Sequence, residues 1–383
     1  MGNIRKRSKS TWTIQQDEPQ GPDGKQRQRS KAIKGTKRDA QMELARIENE
    51  IHARTHIDAG LLTVEKYLLR WLKGISTAIG GKTYERYREI IIKCIIPRLG
   101  KVRLTQLTSL EINSFLADML VNGRKDGEGG LSRQTSLHYY AVLHKASEDA
   151  AKAKILPFNP MAAVVRPKPE PKEKRIASED EIAGLLSGLN GTRLFMPTIV
   201  AYLTGMRRGE ICALRWCNVD LEDVHLLVVE SLQQTKGGLS FRPPKTRTGR
   251  RQIALSPYTV KVLRKHKAQQ SGGRLLLGEA YNDNDLVFPR EDENSSPPDS
   301  LTTSFRAASK RIGLEGLTFH FLRHTHATEL LSRYKVHPKV VTKRLGHSDV
   351  ATTLRLYAHI VPTMQRAAAN ELDKGMRVAK WES

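Results

Sequence analysis

The sequence RLGHSDVATTLRLYAH occupies residues 344–359 and decides how the C-terminal part of the chain is organised. Gly346 suits the left-handed position that ends a helix, and Ser348 suits the N-cap of the next helix. His347 is therefore expected in an exposed turn between two helices. The second helix carries Tyr357, which taken alone is most often a core aromatic, but which becomes a candidate nucleophile when other reactive groups lie nearby.

The sequence HFLRHTH at 320–326 supplies such groups at the start of a predicted helix. His320 and Arg323 share a helical face that continues into Ala327, so an imidazole and a guanidinium begin a stripe that is otherwise apolar. A helix start with these two groups is typical of a phosphate site. His320 and His324 also have the i, i+4 spacing of zinc proteases, but phenylalanine replaces the glutamate that follows the first histidine there, which disfavours a metal.

The sequence TGMRRGEI at 204–211 predicts a turn that enters a helix. Arg207 lies on the face that continues into Ile211, so it begins a buried stripe, and Glu210 is its expected carboxylate partner. An arginine held in this way can receive an anion. A buried structural ion pair explains the same pattern equally well.

A predicted β insertion lies between these motifs, with strands at about 225–233, 239–242 and 251–255. The segment 236–251 carries six basic residues and no acid, which is typical of a solvated or phosphate-contacting surface. Lys245 differs from the other five because it follows two prolines and opens a turn. The direction of the chain is restrained at that point.

The rest of the chain predicts two further domains and a linker. Residues 1–58 combine short alternating apolar segments with one capped helix, which indicates a small basic sheet of two or three strands, or else a solvated basic tail. Residues 61–165 show helical periodicity throughout and predict a four-helix domain. Residues 166–175 alternate proline with charge, as an extended linker does, and 176–383 form the last domain. The expected fold class is therefore multidomain and mainly α with small β parts.

The composition limits what the chain binds. Its 383 residues carry a formal charge of +24, and an apolar content of 39% excludes a disordered chain. The positive excess favours a polyanion, with nucleic acid first and a membrane surface second. No apolar stretch approaches the ~20 residues that cross a bilayer, and no secretory signal follows Met1, so we expect a cytoplasmic protein without a membrane partner.

The cysteines indicate neither a disulfide framework nor a zinc site. The chain has three of them, Cys94, Cys212 and Cys217, and the last two lie five apart on a predicted helix. No second pair of ligands at short spacing accompanies them. We expect all three to be buried structural thiols.

In their order and approximate spacing, the boxes at 204–210, 320–324 and 346–347, together with Lys245 and Tyr357, resemble the signature of the tyrosine site-specific recombinases, the phage integrase family. The upstream domains extend the resemblance. The helical domain is similar to the core-binding domain of that family, and the N-terminal module is similar to the three-stranded arm-binding domain of conjugative-transposon and phage integrases. The last domain would be the catalytic one.

The resemblance implies a recombinase that integrates and excises a mobile element or prophage through a 3′-phosphotyrosyl intermediate, with no metal, ATP or other cofactor. Lys245 is the implied general acid for the leaving 5′-oxygen, and His320 is the implied base or orienting acceptor for the tyrosine. The implied catalytic residues are Arg207, Lys245, His320, Arg323, His347 and the nucleophile Tyr357, with Glu210 and His324 in support.

The implied partner is double-stranded DNA, at core and arm sites, bound by a homotetramer in a bacterial cytoplasm. Whether an excisionase and a host DNA-bending protein take part is left open. The residues expected to contact DNA are side chains of the N-terminal module and the β insertion: Arg5, Lys6, Arg7, Trp12, Lys25, Arg27, Arg29, Lys236, Arg242, Arg247, Arg250 and Arg251.

Two other functions stay open. A type IB topoisomerase shares the tyrosine chemistry but rejoins the same duplex, and a DNA-binding regulator would use the same helices without catalysis. The basic N-terminal module favours recombination, because arm binding serves the assembly of several subunits. The intact set of six catalytic residues argues against a regulator.

Overall fold

A computed structural model gives the fold of the chain in two compact units, residues 1–172 and 173–383. The division falls within the segment expected to be a linker. Helices outnumber strands in both length and count, so the mainly α class with small β parts is confirmed. The residues that the structure describes are 3–8, 11–17, 28–52, 61–124, 126–170, 176–244, 246–277, 284–290, 294–357 and 370. Nowhere in these ranges does a helix have the length and apolar character needed to cross a bilayer.

The N-terminal module is a three-stranded antiparallel sheet followed by a helix. The strands lie side by side in chain order: β1 (Asn3–Ser8), β2 (Thr11–Asp17) and β3 (Gln28–Lys34), followed by α1 (Lys37–His52). Ile14 and Ala40 are fully buried, and the partly buried Trp12 packs against them. The predicted capping box starts α1, because the Thr36 amide donates to Asp39 Oδ2 at 2.8 Å and the Asp39 amide donates to Thr36 Oγ1 at 3.3 Å.

The next segment is helical throughout, as its periodicity predicts. It contains α2 (Val64–Gly74), α3 (Gly81–Ile90), α4 (Ile96–Leu99), α5 (Ser109–Asn122) and α6 (Arg133–Lys152). A π-helical turn joins α3 to α4 immediately before Pro97, which lacks the amide that an unbroken α-helix would need there. Two polar anchors tie α2 to α6: Tyr67 Oη donates to the Ala146 carbonyl at 2.6 Å, and Trp71 Nε1 donates to Asp149 at 2.9 Å.

The second unit is a helical body with two small sheets. Its helices are α7 (Glu179–Leu189), α8 (Phe195–Thr204), α9 (Arg208–Cys212), α10 (Pro257–Leu277), α11 (Pro298–Arg311), α12 (Phe319–Ser332), α13 (Pro338–Leu345) and α14 (Val350–Tyr357). Its strands are β4 (Val219–Asp220), β5 (His225–Val228), β6 (Ser231–Thr235), β7 (Gly238–Arg242) and β8 (Arg251–Ala254). One antiparallel sheet has the order β4-β5-β8, and β6 pairs with β7 in a separate hairpin.

Two expectations for this unit are wrong. The single strand predicted at 225–233 is divided between the two sheets, and Glu230 at the break is held by Arg215 Nε at 2.6 Å instead of by a strand partner. Cys217 is exposed on a separate 3₁₀ turn, because α9 already ends at the buried Cys212. The two cysteines therefore share no helix.

The core of the second unit anchors the start of α12. Phe305 of α11 is fully buried, and its ring meets that of Phe319 edge to face, with centroids 5.4 Å apart. Phe319 immediately precedes His320. This aromatic pair therefore fixes the position at which the histidine-containing motif begins.

We expect Phe305→Ala to lower the free energy of unfolding by about 3–5 kcal/mol, because it removes a fully buried ring and leaves a cavity. Urea denaturation of the full chain measures the change. The exposed Val340 provides the control, since Val340→Ala should change stability by less than about 0.5 kcal/mol. Equal losses in the two variants would contradict the packing described.

Candidate active site

The C-terminal end of α13 is the centre of the candidate site. The last carbonyls of a helix have no partners within it, and here each of three consecutive carbonyls accepts a hydrogen bond from a different arginine. The pairs are Arg251 Nε to the Arg344 carbonyl (2.6 Å), Arg323 Nη2 to the Leu345 carbonyl (2.7 Å) and Arg207 Nη2 to the Gly346 carbonyl (2.9 Å). The three arginines come from β8, α12 and the turn between α8 and α9. One helix end thus gathers three distant segments of the chain.

Glu210 forms hydrogen bonds with two of these arginines, Arg207 and Arg251. Its carboxylate is 2% exposed and accepts hydrogen bonds from the backbone amide and Nη1 of Arg207 at 2.9 and 2.8 Å. Arg251 Nη1 and Nη2 donate to the same carboxylate at 3.1 and 2.8 Å. Burial alone would raise the pKa of Glu210, but the hydrogen bonds and charges of Arg251 and Arg207 outweigh it, so the pKa is lowered from its ordinary value. The carboxylate is therefore ionised at neutral pH.

Arg323 is the most enclosed cation of the group. It is 3% exposed, and its Nη1 donates to the Gly205 carbonyl at 2.7 Å. Burial, followed by the charges of Arg207 and Arg251, lowers the pKa of Arg323 to about 9, so the side chain is still charged at neutral pH. Three guanidinium groups and one carboxylate give this cluster a net charge of +2, which favours an anionic ligand.

The turn after α13 differs from the expected one in two respects. Gly346 has the predicted left-handed conformation, with φ of 65°. His347, however, is half-buried instead of exposed, because the arginine cluster packs around it. The N-cap of α14 is Asp349 and not Ser348, since Asp349 Oδ1 accepts the amide of Ala351 at 2.9 Å.

His347 is held in its neutral form. Its Nδ1 lies 2.9 Å from Oγ1 of the fully buried Thr353. Burial and the positive charges of Arg323 and Arg207 lower the pKa of His347 to about 4. At neutral pH this imidazole therefore takes part in hydrogen bonding without adding charge.

His320 and His324 lie in the first two turns of α12. Their rings meet edge to face with centroids 4.6 Å apart, and His320 is exposed whereas His324 is half-buried. His320 is close enough to His347 to contribute to its lowered pKa. The structure thus brings Arg207, Arg323 and His347 into one cluster with His320 at its exposed side.

Two of the predicted catalytic side chains fall outside the described part of the structure. The backbone of Tyr357 ends α14, which packs against α12 and α13, but nothing is described of its side chain. Lys245 is itself outside the described residues. Its sequence neighbour Thr248 approaches Gly346 so closely that a Cβ at Gly346 would lie 2.8 Å from the Thr248 carbonyl oxygen. Only glycine fits at that position.

The side chains expected to contact DNA are found in four different situations, of which that of Arg251 is described separately below. The side chains of Arg7 and Arg29, and all of Lys25 and Arg27, lie outside the description. Trp12 serves the small N-terminal core, with the Lys6 ammonium 5.8 Å from its ring centroid. Those that are exposed are Arg5, Lys6, Lys236, Arg242, Arg247 and Arg250.

The expectation for Arg251 needs correction. Arg251 is 8% exposed, and its donors are directed to Glu210 and to backbone carbonyls, so it is not available to a DNA groove. Arg251 instead belongs to the cluster around α13. The charge pattern could not distinguish it from Arg250, but its position as the first residue of a strand with buried alternate residues was a signal for an inward side chain.

Within the described ranges, one group of side chains could hold a cation. Ligand atoms of Asp220, Asp223 and His225, at the turn between β4 and β5, lie within 4.8 Å of one another. Asp220 Oδ1 already accepts the amides of Glu222 and Asp223 at 2.9 and 2.7 Å, so the turn itself accounts for the arrangement.

The sequence matches known protein families in two places. Residues 177–364 match the phage integrase family, and residues 63–120 match the phage integrase N-terminal SAM-like domain. A tyrosine recombinase XerC-like protein of Caldanaerobacter subterraneus subsp. tengcongensis is 30% identical over 208 residues, which are 51% of this chain and 53% of that protein. The ICEBs1 integrase of Bacillus subtilis is 27% identical over 76% of this chain and 77% of its own length. The chain thus spans about half of the first relative and about three quarters of the second.

Solved structures share the fold. The Tn1549 transposon integrase in complex with a circular intermediate DNA has a TM-score of 0.69 and 19% identity, over 81% of this chain and 99% of that one. A lambda integrase tetramer bound to a Holliday junction has a TM-score of 0.57 and 22% identity, over 91% of this chain and 96% of that one. The second likeness extends over most of the chain.

We expect Glu210→Gln to destabilise the protein by about 3–5 kcal/mol at neutral pH, because it leaves the buried Arg251 without its counter-charge. A carboxyl whose pKa is lowered on folding stabilises the fold above its ordinary pKa of 4.5, and this contribution is lost as the pH falls through the lowered value. The difference in stability between the wild type and the variant should therefore be constant above about pH 5.5 and shrink below pH 4.5.

Urea denaturation across this pH range measures the difference. Glu222 is 87% exposed in its salt bridge with Arg264, so Glu222→Gln should have little effect. If the difference in the free energy of unfolding between the wild type and Glu210→Gln stayed constant down to pH 3, the carboxylate charge would not be what holds the cluster.

Proposed function

The chain belongs to the phage integrase family of tyrosine recombinases, and on that premise we propose that it cuts and rejoins DNA at specific sites through the hydroxyl of Tyr357. The observation that carries the proposal is the cluster of fixed cations with a net charge of +2 at the end of α13, beside the helix that Tyr357 terminates. A phosphodiester is the anion that a family of DNA recombinases would bring to such a cluster. The reaction integrates and excises a mobile element or prophage.

In the proposed cleavage step, the Tyr357 oxygen attacks the phosphorus and the bond to the 5′-oxygen breaks. His320 accepts the phenolic proton, and Lys245 supplies a proton to the leaving 5′-oxygen. The products are a 3′-phosphotyrosyl ester and a free 5′-hydroxyl. A 5′-hydroxyl of the partner strand then attacks that ester and releases Tyr357, so one ester is formed for each ester broken and no ATP is consumed.

Arg207 and Arg323 stabilise the charge that develops on the phosphate oxygens. Each guanidinium has five N–H donors in a planar fork, and the bonds to Gly346, Leu345 and Gly205 restrain that fork before the substrate arrives. Donors fixed in advance need no reorganisation in the transition state. Glu210 takes no part in the chemistry and holds Arg207 in place.

His347 hydrogen-bonds the phosphate through Nε2, because its other ring nitrogen is already engaged. Nδ1 lies 2.9 Å from Oγ1 of the fully buried Thr353. Thr353 Oγ1 also lies 2.9 Å from the Thr342 hydroxyl, which donates its proton to the Pro338 carbonyl at 2.8 Å. The buried threonine thus fixes the orientation of the His347 ring and leaves Nε2 for a phosphate oxygen.

The proposed substrate is double-stranded DNA at core and arm sites. Residues 176–383 form the catalytic domain, 61–165 the core-binding domain and 1–58 the arm-binding domain, with 166–175 as the linker. Exposed Arg5 and Lys6 on β1 support a DNA-facing role for the N-terminal sheet. Two strand exchanges between two duplexes require four active sites, so the active species is a homotetramer on DNA, acting on the bacterial chromosome in the cytoplasm. An excisionase and a host DNA-bending protein are further candidate partners.

The covalent intermediate provides the first test. A core site nicked just beyond the scissile phosphate loses its short 5′-hydroxyl fragment after cleavage, so the wild type should accumulate a protein–DNA adduct that resists denaturing electrophoresis. Tyr357→Phe should form none, since it lacks the attacking oxygen. EDTA should leave the yield of wild-type adduct unchanged.

Tyr334→Phe is the matched control. It removes the same hydroxyl oxygen from a different tyrosine, which is 60% exposed. An adduct in Tyr357→Phe, or none in the wild type, would contradict the proposal; the second result would favour a DNA-binding regulator. Rapid supercoil relaxation by wild-type monomers on DNA without a core site would favour a topoisomerase.

The orientation of His347 provides the second test. Thr353→Val keeps the shape of the side chain but removes the hydroxyl that holds His347 Nδ1, so single-turnover cleavage should slow by about fivefold to tenfold, the value of one hydrogen bond. Thr352 is exposed on the same helix, and Thr352→Val should keep the wild-type rate. Equal rates in the two variants would show that Thr353 does not orient His347.

A further inference from the structure

Arg344 lies in the last turn of α13 but does not belong to the cationic cluster. Its Nε donates to His326 Nε2 at 3.1 Å, its Nη1 donates to the Ala254 carbonyl at 3.0 Å, and its Nη2 donates to the Leu203 carbonyl at 3.1 Å. One half-buried guanidinium therefore contacts three elements, which are α12, β8 and the end of α8. The proposed chemistry gives this side chain no task.

These three elements are the ones that deliver the catalytic cluster. Leu203 lies in the last turn of α8, and the chain continues from there through Gly205 to Arg207. Ala254 ends strand β8, which Arg251 begins. His326 lies one helical turn after Arg323 in α12. Each of the three arginines reaches a carbonyl at the end of α13. Arg344, which lies on α13, donates hydrogen bonds to each of the same three elements. The four arginines therefore connect α13 with these elements in both directions.

His326 is built to accept the bond from Arg344. It is 7% exposed, and its ring also hydrogen-bonds to the backbone of Tyr202, which leaves Nε2 as the acceptor. Burial and the charge of Arg344 lower the pKa of His326 to about 3, so the imidazole is neutral at physiological pH. The packing is tight, since a Cβ at Gly205 would lie 2.7 Å from both His326 Cδ2 and Leu345 Cδ2.

We propose that Arg344, with His326 as its acceptor, is a positioning residue that sets the end of α13 relative to the three elements carrying Arg207, Arg251 and Arg323. The inference rests on the proposed function, because it concerns where the arginines direct their remaining donors. Without Arg344, the carbonyls at the end of α13 shift, and the guanidinium groups bonded to them shift with them. Each of the three guanidinium nitrogens of Arg344 donates to an acceptor within the protein, so we expect its effect on DNA to be indirect.

The test must separate positioning from general loss of structure. Full-length Arg344→Met is compared with Lys343→Met, which removes an exposed positive charge from the neighbouring position of α13. Single-turnover cleavage is measured with saturating nicked core DNA that carries either the normal scissile phosphate or a methylphosphonate. The methylphosphonate is uncharged, so its cleavage depends less on the fixed arginines.

We expect Arg344→Met to slow cleavage of the phosphate substrate by roughly 10- to 100-fold, the usual effect of losing a group that orients a functional side chain. The rate of methylphosphonate cleavage should fall by less than about threefold, because this substrate has no negative charge that depends on correctly placed arginines. Lys343→Met should resemble the wild type on both substrates. The affinity for core DNA should stay within about twofold, since Arg344 makes no phosphate contact.

A second pair of variants keeps the test informative if Arg344→Met folds poorly. In His326→Gln the amide oxygen can replace Nε2 as an acceptor, whereas His326→Leu has none. Cleavage of the phosphate substrate should be faster in His326→Gln than in His326→Leu, with rates on methylphosphonate closer together.

Equal slowing of both substrates would overturn the inference and indicate a structural role only, as would an Arg344→Met variant that matches Lys343→Met. In those cases the wild type still cleaves, so the proposed function is unaffected. A wild type that cleaves neither substrate would overturn both.

Discussion

The arrangement of the second unit depends on an electrostatic constraint: three guanidinium groups meet at one helix end with a single carboxylate among them. Burying unpaired charge is costly, and the cluster persists because the carbonyls at the end of α13, the negative end of the helix dipole, accept the donors of Arg207, Arg251 and Arg323. Glu210 neutralises only one of the three charges. The protein therefore holds positive charge in a fixed geometry, which is the condition for stabilising a phosphate transition state without reorganisation.

Most features set by neighbours in sequence could be predicted, although α14 is capped by Asp349 and not by the expected Ser348. Features set by distant partners could not be predicted. The capping boxes at Thr36, Thr108 and Ser178, like the pair Arg207 and Glu210, depend on residues three apart, and the structure contains all of them. By contrast, Arg251 meets Glu210 across 41 positions, and Arg323 meets the Gly205 carbonyl across 118. Composition assigns both Arg250 and Arg251 to a basic surface, and only the fold turns one inward.

The burial of Arg323 bears on the choice between a catalyst and a DNA-binding regulator. A regulator needs cations that face the groove, where water and counterions stabilise them until DNA arrives. Arg323 is 3% exposed and lies beside two other arginines, an arrangement that opposes folding and lowers its own pKa. Such strain is characteristic of sites at which charge develops during a reaction. The burial therefore supports catalysis over recognition alone.

Burial and neighbouring arginines together determine the state of the imidazoles. Burial together with the nearby guanidinium groups lowers the pKa of His347 to about 4 and that of His326 to about 3, so the arginines carry the charge and the histidines supply neutral hydrogen bonds. In the proposed reaction, a phosphate entering the cluster adds negative charge beside His347 and raises its pKa. A protonated imidazole carries a hydrogen on Nε2 and can donate it to a phosphate oxygen. Protonation is favoured most when charge on the phosphate oxygens is greatest, in the transition state, so substrate charge strengthens the donor that helps to stabilise it.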